Sequence, residues 1–179
     1  MSLATEVLPQ GTVLVPLTAH ADERGVFTEL YRVEWGTGVT PIQWNAVCSE
    51  AGVLRGVHVH LRHDDYLTVP VGRAAIGLRD LRRGSPTEGL ASVIELGAES
   101  PGALIIPHGV AHGFYFHEPS LHVYAVTEYW DPSDELSCHW ADPELGIPWP
   151  VQTARLSERD EQSQSLQELL AQLEPSQPI

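Results

Sequence analysis

Histidines and one aspartate stand at spacings that suit either proton transfer or metal binding. His58 and His60 are separated by a single residue, Asp65 follows shortly after them, and His112 ends a Pro-x-Gly-x-x-His segment. Side chains alternate across a β-strand, so His58 and His60 are predicted to share one face, and the next strand would bring Asp65 back beside them. Three imidazoles and one carboxylate suit Mn, Fe, Ni, Cu or Zn, and an imidazole is also a general base suited to neutral pH.

Short β-strands are predicted to position these residues, because brief apolar or alternating runs alternate with turn residues from Thr12 to about Trp149. The predicted strands are Thr12–Leu17, Val26–Tyr31, Pro41–Val47, Val53–His60, Tyr66–Val71, Ala74–Asp80, Ser92–Leu96, Ala103–Ile106, His112–Phe116 and Leu121–Thr127. Such a density of short strands indicates a sandwich or a barrel. The two histidine segments also resemble the two motifs of the cupin superfamily, which implies an all-β, cupin-type β-barrel (jelly roll).

The C-terminal region follows a helical pattern instead. Leucines recur at helical spacing from Leu166 onward, and Ser157 with Asp160 three residues later is typical of a helix start. We predict a short C-terminal helix over about 158–173 that docks on the barrel, with Pro175–Ile179 frayed beyond it.

Composition limits the classes of function. The chain has 179 residues, no internal repeat and no linker, so we predict a single domain over 1–179 with its core at about 10–162. A formal net charge of −14 argues against binding to nucleic acid or to an anionic membrane surface. The sequence has no apolar run long enough to span a bilayer, no secretion signal at its N-terminus and two cysteines without paired spacing. We therefore expect a cytoplasmic protein with no membrane partner.

Longer stretches around the histidines resemble the dTDP-4-dehydrorhamnose 3,5-epimerase family. The matching segments are Asp22–Glu29, Gln43–Asn45, Val53–His58, Ile106–Phe114, Thr127–Tyr129, Leu145–Pro150 and Leu156–Asp160, in order over about residues 10–162. The resemblance implies an epimerase that inverts C3, C5 or both in a nucleotide-linked, dTDP-type 4-keto-6-deoxyhexose. Such an enzyme removes a proton beside the ketone and returns one to the opposite face.

The resemblance also implies roles for individual residues. His58 would be the base, Asp160 would pair with it, and Tyr124 would return the proton from the other face of the sugar. The positions that match substrate contacts are Arg24, Glu29, Gln43, Asn45, Arg55, His112, Glu135 and Arg159. Members of the family are expected to be homodimers in which strands near the N-terminus pair between subunits, and we expect a homodimer here.

Three positions near the predicted base depart from the family pattern. Asp65 stands where the family usually has a lysine beside the sugar ketone, Ile76 replaces a nearby aspartate, and His60 replaces a glutamine. An ionised Asp65 about 4–5 Å from a developing enolate oxygen would repel it by roughly 3–4 kcal/mol at an effective dielectric of about 20, or on the order of 10²–10³-fold in rate. Something must therefore neutralise Asp65: a proton, a contact with His63 or an arginine, or a metal ion.

Two alternatives to the epimerase stay open. A metal-dependent cupin enzyme would use His58, His60, Asp65 and His112 as ligands, although a metal-bound His58 cannot also serve as the free base. A non-catalytic sugar-nucleotide binding protein would keep the binding positions without turnover. The retained Tyr124 favours the epimerase, for which we predict no cofactor and a metal content well below stoichiometric.

Overall fold

Short strands make up most of the regular structure in residues 7–173, the part of the chain that the computed structural model describes. In chain order the strands are β1 (Val13–Pro16), β2 (Ala19–Asp22), β3 (Gly25–Thr28), β4 (Gln43–Ser49), β5 (Leu54–His60), β6 (Asp65–Val71), β7 (Arg73–Asp80), β8 (Ala91–Gly97), β9 (Gly102–Ile106), β10 (Val110–Phe116), β11 (Ser120–Val126) and β12 (Glu135–Ser137). Ten of them coincide with predicted strands, whereas β2 and β12 were not predicted. The predicted tail Pro175–Ile179 lies outside the described residues.

Two five-stranded antiparallel sheets face each other. One has the strand order β1-β9-β6-β11-β4, and the other has the order β12-β5-β10-β7-β8. The space between them is filled by fully buried side chains from both sheets, among them Leu67, Ile76, Leu104 and Phe116. Each of these strands turns one set of alternating side chains inward, which is how two sheets share one core. The predicted all-β jelly roll is confirmed.

The strands β2 and β3 form a separate two-stranded hairpin. Nearly all of its residues are exposed, including Val26 at 70% and Phe27 at 62%. A two-stranded ribbon is only marginally stable by itself in water, so an exposed apolar hairpin is a surface that lacks a cover in the single chain.

The prediction of one continuous C-terminal helix is wrong, because the helix is interrupted in its middle. Instead of one helix over 158–173, the structure has α1 (Glu158–Glu161) and α2 (Leu166–Leu173). The start of α1 agrees with the prediction, because the Ser157 hydroxyl accepts a hydrogen bond from the Asp160 backbone N–H at 3.1 Å.

The second helix begins at a capping box that explains the break. The Ser165 hydroxyl accepts from the Glu168 backbone N–H at 3.3 Å, and the Glu168 carboxylate accepts from the Ser165 backbone N–H at 2.9 Å. From there Leu166, Leu169 and Leu173 are buried against the second sheet's outer core. The docking of this helix on the barrel, as predicted, is therefore carried by α2.

A close approach of β5 and β10 sets the registry of the histidines. Gly56 has φ +107°, and a Cβ atom there would lie 2.8 Å from the His112 carbonyl oxygen and 2.9 Å from the Gly113 Cα atom. Only glycine fits this position. The pairing places His58 directly opposite His112, with an irregularity between His112 and Gly113.

No helix within residues 7–173 has the length and apolar character needed to cross a membrane. Both cysteines are free, with Cys48 exposed and Cys138 buried.

Candidate active site

A cavity of about 320 Å³ opens between the two sheets. Seven of the eleven predicted site residues line it: Arg55, His58, His112, Tyr124, Glu135, Arg159 and Asp160. They come from β5, β10, β11, β12 and the start of α1, so residues far apart in the chain meet in one place. The base, acid and pairing residues expected from the family pattern are therefore brought together.

His58 is held by carboxylates on both ring nitrogens. Its Nε2 atom lies 2.9 Å from Asp160 Oδ1, and its Nδ1 atom lies 3.1 Å from Glu135 Oε1. Asp160 Oδ2 also accepts a hydrogen bond from the Ser157 hydroxyl at 2.9 Å. Burial opposes ionisation of Asp160, but hydrogen bonding and charge from His58, with help from Ser157, outweigh it and lower the pKa of Asp160. Asp160 is therefore an anion that can orient the imidazole.

Glu135 links His58 to the mouth of the cavity. Its Oε2 atom accepts from the Trp130 indole N–H at 2.9 Å and lies 3.3 Å from an Arg159 nitrogen. Burial would raise the pKa of Glu135, but the charge of His58 and the bonds from Trp130 and Arg159 lower it. A second anion thus covers the ring nitrogen of His58 that Asp160 leaves open.

Tyr124 enters the cavity from the sheet opposite to His58, because β11 and β5 belong to different sheets. Its ring stacks on His122 with centroids 5.7 Å apart and an interplanar angle of 17°. Burial, and then the charges of Asp65 and Glu135, raise the pKa of Tyr124, which keeps its phenol protonated at neutral pH. Tyr124 can therefore act as a proton donor facing the base.

Asp65, His60 and His112 form a buried corner of the same cavity. Asp65 Oδ2 lies 3.8 Å from His60 Nε2 and 3.8 Å from His112 Nε2. Burial, and then the neighbouring carboxylates, raise the pKa of Asp65 well above its usual range. Burial also lowers the pKa of His60 to about 2 and that of His112 to about 4, so both rings are neutral at pH 7.

The structure brings together only three of the four residues that the metal-dependent alternative uses as ligands. His60, Asp65 and His112 each offer a ligand atom, and these atoms lie within 4.8 Å of one another. His58 is not part of this group, because its nitrogens are engaged with two carboxylates. The predicted set of four ligands is therefore corrected to a set of three, and the conflict over His58 disappears.

His63 and Asp134 form a further pair beside this corner that the sequence did not predict. His63 stacks on His60 with ring centroids 4.1 Å apart, and its Nδ1 atom lies 3.0 Å from Asp134 Oδ2. Asp134 also has a cationic partner, since its Oδ1 atom lies 3.3 Å from Arg62 Nε.

Four predicted substrate-binding residues lie outside the cavity lining: Arg24, Glu29, Gln43 and Asn45. Arg24 pairs with Asp22 on the hairpin and its side chain is 83% exposed, while Glu29 pairs with Arg32. Gln43 donates to Asn45 Oδ1 at 3.1 Å and accepts from the Trp130 backbone N–H at 3.0 Å. In the single chain, therefore, the first pair forms exposed ion pairs outside the cavity lining and the second pair supports the segment that carries Trp130.

Sequence reasoning assigned no site role to His122, Trp130 and Ser157, which line the cavity. His63, considered only as a partner of Asp65, also lines it and pairs with Asp134. His122 could have been predicted, because it is two residues from Tyr124 on one strand and shares its face. Trp130 has no such signal, since it follows β11 in an irregular segment.

Known proteins resemble this chain over most of its length. Residues 7–168 match the sequence profile of dTDP-4-dehydrorhamnose 3,5-epimerase. A Pseudomonas aeruginosa protein of that name is 37% identical over 174 residues, which cover 90% of this chain and 94% of that protein. A Streptomyces niveus protein named dTDP-4-dehydrorhamnose 3-epimerase is 35% identical over 158 residues, which cover 83% of this chain and 76% of that protein.

Solved structures agree. The crystal structure of dTDP-6-deoxy-D-glucose-3,5-epimerase from Legionella pneumophila, in complex with dTDP-4-keto-L-rhamnose, superimposes with a TM-score of 0.83 and 32% identity. The superposition covers 91% of this chain and 92% of that chain. Similarity of this extent, in sequence and in structure, shows that the chain belongs to the dTDP-4-dehydrorhamnose 3,5-epimerase family.

Proposed function

We propose that the chain is an epimerase that inverts C3, C5 or both in a nucleotide-linked, dTDP-type 4-keto-6-deoxyhexose. The observation that supports this most strongly is the cavity that holds the His58–Asp160 pair on one sheet and Tyr124 on the other. Inversion needs one group to remove a proton and a second group, across the sugar, to return one. A single group would replace the proton on the face from which it came.

His58 is the proposed base. Asp160 accepts the Nε2–H, which leaves Nδ1 as the atom that removes the proton beside the ketone, and it stabilises the imidazolium that forms. Glu135 Oε1 is 3.1 Å from that Nδ1 atom, a contact that needs a proton between the two acceptors. Nδ1 can therefore act as the base only after this proton has passed to Glu135 or to water and Glu135 has moved aside. We propose that the substrate displaces Glu135, whose other oxygen keeps its contacts with Trp130 and Arg159.

Tyr124 is the proposed acid. It donates a proton to the opposite face of the enolate, and its raised pKa favours the protonated phenol before that step. A proton then has to leave His58 and another has to reach Tyr124 before the next turnover, because each cycle moves one proton from the sugar to the base and one from the acid to the sugar.

The cations of the cavity suit the phosphates of a nucleotide sugar. Arg55 has one nitrogen bound to the Ser49 hydroxyl at 2.9 Å, and Arg159 contacts Glu135 at the other side. Guanidinium groups bind phosphate oxygens through paired N–H donors. We therefore propose Arg55 and Arg159 as contacts to the diphosphate, with the identity of the base and sugar to be fixed by experiment.

Deuterium exchange tests this function. The protein is incubated in deuterated water with a dTDP-4-keto-6-deoxyhexose, and proton NMR follows the signals at C3 and C5. We expect deuterium to enter at one or both carbons, and the carbon that exchanges distinguishes a 3-epimerase from a 3,5-epimerase. No deuterium at either carbon, with other nucleotide carriers also tried, would contradict the proposal and favour a non-catalytic sugar-nucleotide binding protein.

We also propose a homodimer in which the β2–β3 hairpin is covered by a second copy. The support is the exposure of Val26 and Phe27 and the location of Arg24 and Glu29, which match substrate positions of the family yet lie away from the cavity of their own chain. In a dimer they would complete the cavity of the partner. Light scattering at micromolar concentration should give twice the chain mass of 19.7 kDa, and the monomer mass would contradict the proposal.

We further propose that the chain acts as a single domain in the cytoplasm. Successive strands β4, β5 and β6 alternate between the two sheets, so neither sheet is a separable unit of the chain. Both cysteines are free thiols, as is usual in a reducing compartment. Limited proteolysis that released a stable half of the barrel would contradict the single domain.

A further inference from the structure

Asp65 is a buried carboxylate whose neighbours do not balance its charge. It is 4% exposed, and its Oδ2 atom lies 3.8 Å from His60 Nε2 and 3.8 Å from His112 Nε2. That distance is too long for a hydrogen bond. A carboxylate out of water without a counter-charge is strongly unfavourable, so this position is suited to a bound cation.

The two imidazoles are arranged as ligands for such a cation. The Nδ1 atom of His112 lies 3.1 Å from the Val110 carbonyl oxygen, and donation to that oxygen leaves Nε2 unprotonated toward Asp65. The ligand atoms of the three residues lie within 4.8 Å of one another. Two atoms that each lie about 2.0–2.2 Å from one ion are separated by at most about 4.4 Å, which the 3.8 Å distances satisfy.

His60 adds an independent observation. It is 8% exposed, and its Nδ1 atom is buried with no hydrogen-bond partner among residues 7–173. A buried imidazole without partners is unusual, because buried polar groups are normally satisfied. Coordination through one ring nitrogen would give this side chain a reason to be placed in the cavity.

Contrary to the metal-free expectation from the sequence, we propose that His60, Asp65 and His112 bind one divalent transition-metal ion. Two imidazoles and one carboxylate, contributed by β5, β6 and β10, form a set that suits Fe, Mn, Co or Zn. Binding of the ion does not depend on the proposed epimerase function, but the role given to the ion rests on it. When bound, the ion would supply positive charge at the position where the family usually has a lysine beside the sugar ketone.

The neighbouring group of His60, His63 and Asp134 is a weaker candidate. Although its ligand atoms also lie within 4.8 Å of one another, Asp134 already has a histidine at 3.0 Å and a guanidinium nitrogen of Arg62 at 3.3 Å. Its charge is therefore balanced without an ion. His58 is also excluded, since both its nitrogens face carboxylates, so metal binding and proton removal use different residues.

Metal binding can be measured without substrate. The full chain, purified without a histidine tag and stripped with a chelator, is titrated with Co²⁺ and followed by visible absorption and calorimetry. We expect one Co²⁺ per chain. His60→Gln and Asp65→Asn should weaken binding by more than the roughly 10–100-fold that loss of a supporting residue costs. His63→Gln tests the neighbouring group, and His117→Gln, which removes a histidine outside the cavity lining, is the matched control.

The outcomes are separable. Saturation of a Co²⁺ band that survives in His63→Gln and His117→Gln but not in Asp65→Asn supports the site, with circular dichroism confirming that each variant is folded. No Co²⁺ band in the wild-type chain, or equal loss in His63→Gln, would overturn it. Deuterium exchange by the stripped protein without Co²⁺ binding would refute the site and leave the epimerase intact. Co²⁺ binding without any exchange would refute the epimerase and leave the site.

Discussion

His58 and His60 stand two residues apart on one strand and line one cavity, yet their surroundings are opposite. His58 has a carboxylate within 3.1 Å of each ring nitrogen. Among residues 7–173, His60 Nδ1 has no hydrogen-bond partner, and its Nε2 atom lies 3.8 Å from Asp65. Strand geometry decides only where the two rings point, because alternate side chains share a face. The chemistry of each ring is decided by residues that reach it from other elements.

His58 has a complete set of partners within the chain, whereas His60 does not. Around His58 the chain itself supplies the orienting carboxylate Asp160, held in turn by Ser157. Around His60 the chain supplies possible metal ligands, but within residues 7–173 it supplies no hydrogen-bonded cation to balance the Asp65 carboxylate. The first set matches the family pattern, and the second contains two positions, Asp65 and His60, at which the sequence departs from it. The predictions below test whether this difference is functional.

The largest effect is expected at His58. Replacement by Gln removes the proposed base, so the rate of deuterium entry into the substrate should fall by at least about 10²-fold. Affinity for dTDP should stay near the wild-type value, because His58 is assigned to the reacting carbon. Exchange is measured by proton NMR, with His117→Gln as the control. Exchange at the wild-type rate would mean that the His58–Asp160 pair is structural.

A distinct loss is expected at Tyr124. In Tyr124→Phe the base can still remove a proton and return a deuteron to the same face, while inversion should slow by about 10²–10⁴-fold. Deuterium content and product stereochemistry, read in one NMR experiment, separate the two events. Tyr115→Phe, on β10 and outside the cavity lining, is the matched control. Inversion that proceeds normally in Tyr124→Phe would assign the acid to another group.

Asp80 provides a satisfied carboxylate for comparison with Asp65. Burial opposes its ionisation, but hydrogen bonds from Arg82, Thr87 and Ser85, at 2.6 to 2.8 Å, lower the pKa of Asp80 to about 2. A folded-state pKa below the unfolded value stabilises the fold above about pH 4, and this stabilisation is lost as the pH falls toward 2.

Asp80→Asn should therefore lower the free energy of unfolding by about 2 kcal/mol at pH 7 and by much less near pH 2. Urea unfolding at several pH values measures this difference. An equal loss at both pH values would show that packing, rather than the charge of Asp80, carries the effect.

The smallest loss is expected at Asp65 in the metal-stripped protein. Asp65→Asn should lower the free energy of unfolding by no more than about 1 kcal/mol and is expected to raise it at pH 7, because no strong hydrogen bond is lost and a buried carboxylate without a counter-charge is removed. The same urea titrations measure it beside Asp80→Asn. A loss as large as that of Asp80→Asn would mean that Asp65 already has a strong partner within the chain, and the contrast with His58 would weaken.

The strands that carry the cavity are predictable from the sequence because they are dense in apolar residues and bounded by turns. The strands β2 and β12 are not, since Ala-His-Ala-Asp and Glu-Leu-Ser lack β-branched residues and form only through their pairing partners. The break between the helices was readable, because Ser165 and Glu168 have capping-box spacing. It was not predicted, because the helical spacing of the leucines favoured one continuous helix.

The candidate site was less accessible to sequence reasoning. Nothing local connects His58 with Asp160 or Tyr124, so their association came from the family resemblance, and their roles stay predictions. The contacts of Glu135 with His58 and Trp130 depend on how β12 pairs with β5. Which ligands gather around Asp65 depends equally on tertiary structure, because the motif spacing did not distinguish His58 from the other two histidines.

The bond between His58 and Asp160 spans 102 residues of sequence. All twelve strands precede Asp160, and the segment that carries it is fastened to the start of β5 by the Leu54 N–H to Arg155 carbonyl bond at 2.9 Å. A nascent chain can therefore pair all its strands before His58 has the carboxylate that orients it. A chain clipped ahead of Asp160 would lose the group that orients its base, together with the buried leucines of α2. The segment after the last strand thus supplies a group that the catalyst needs.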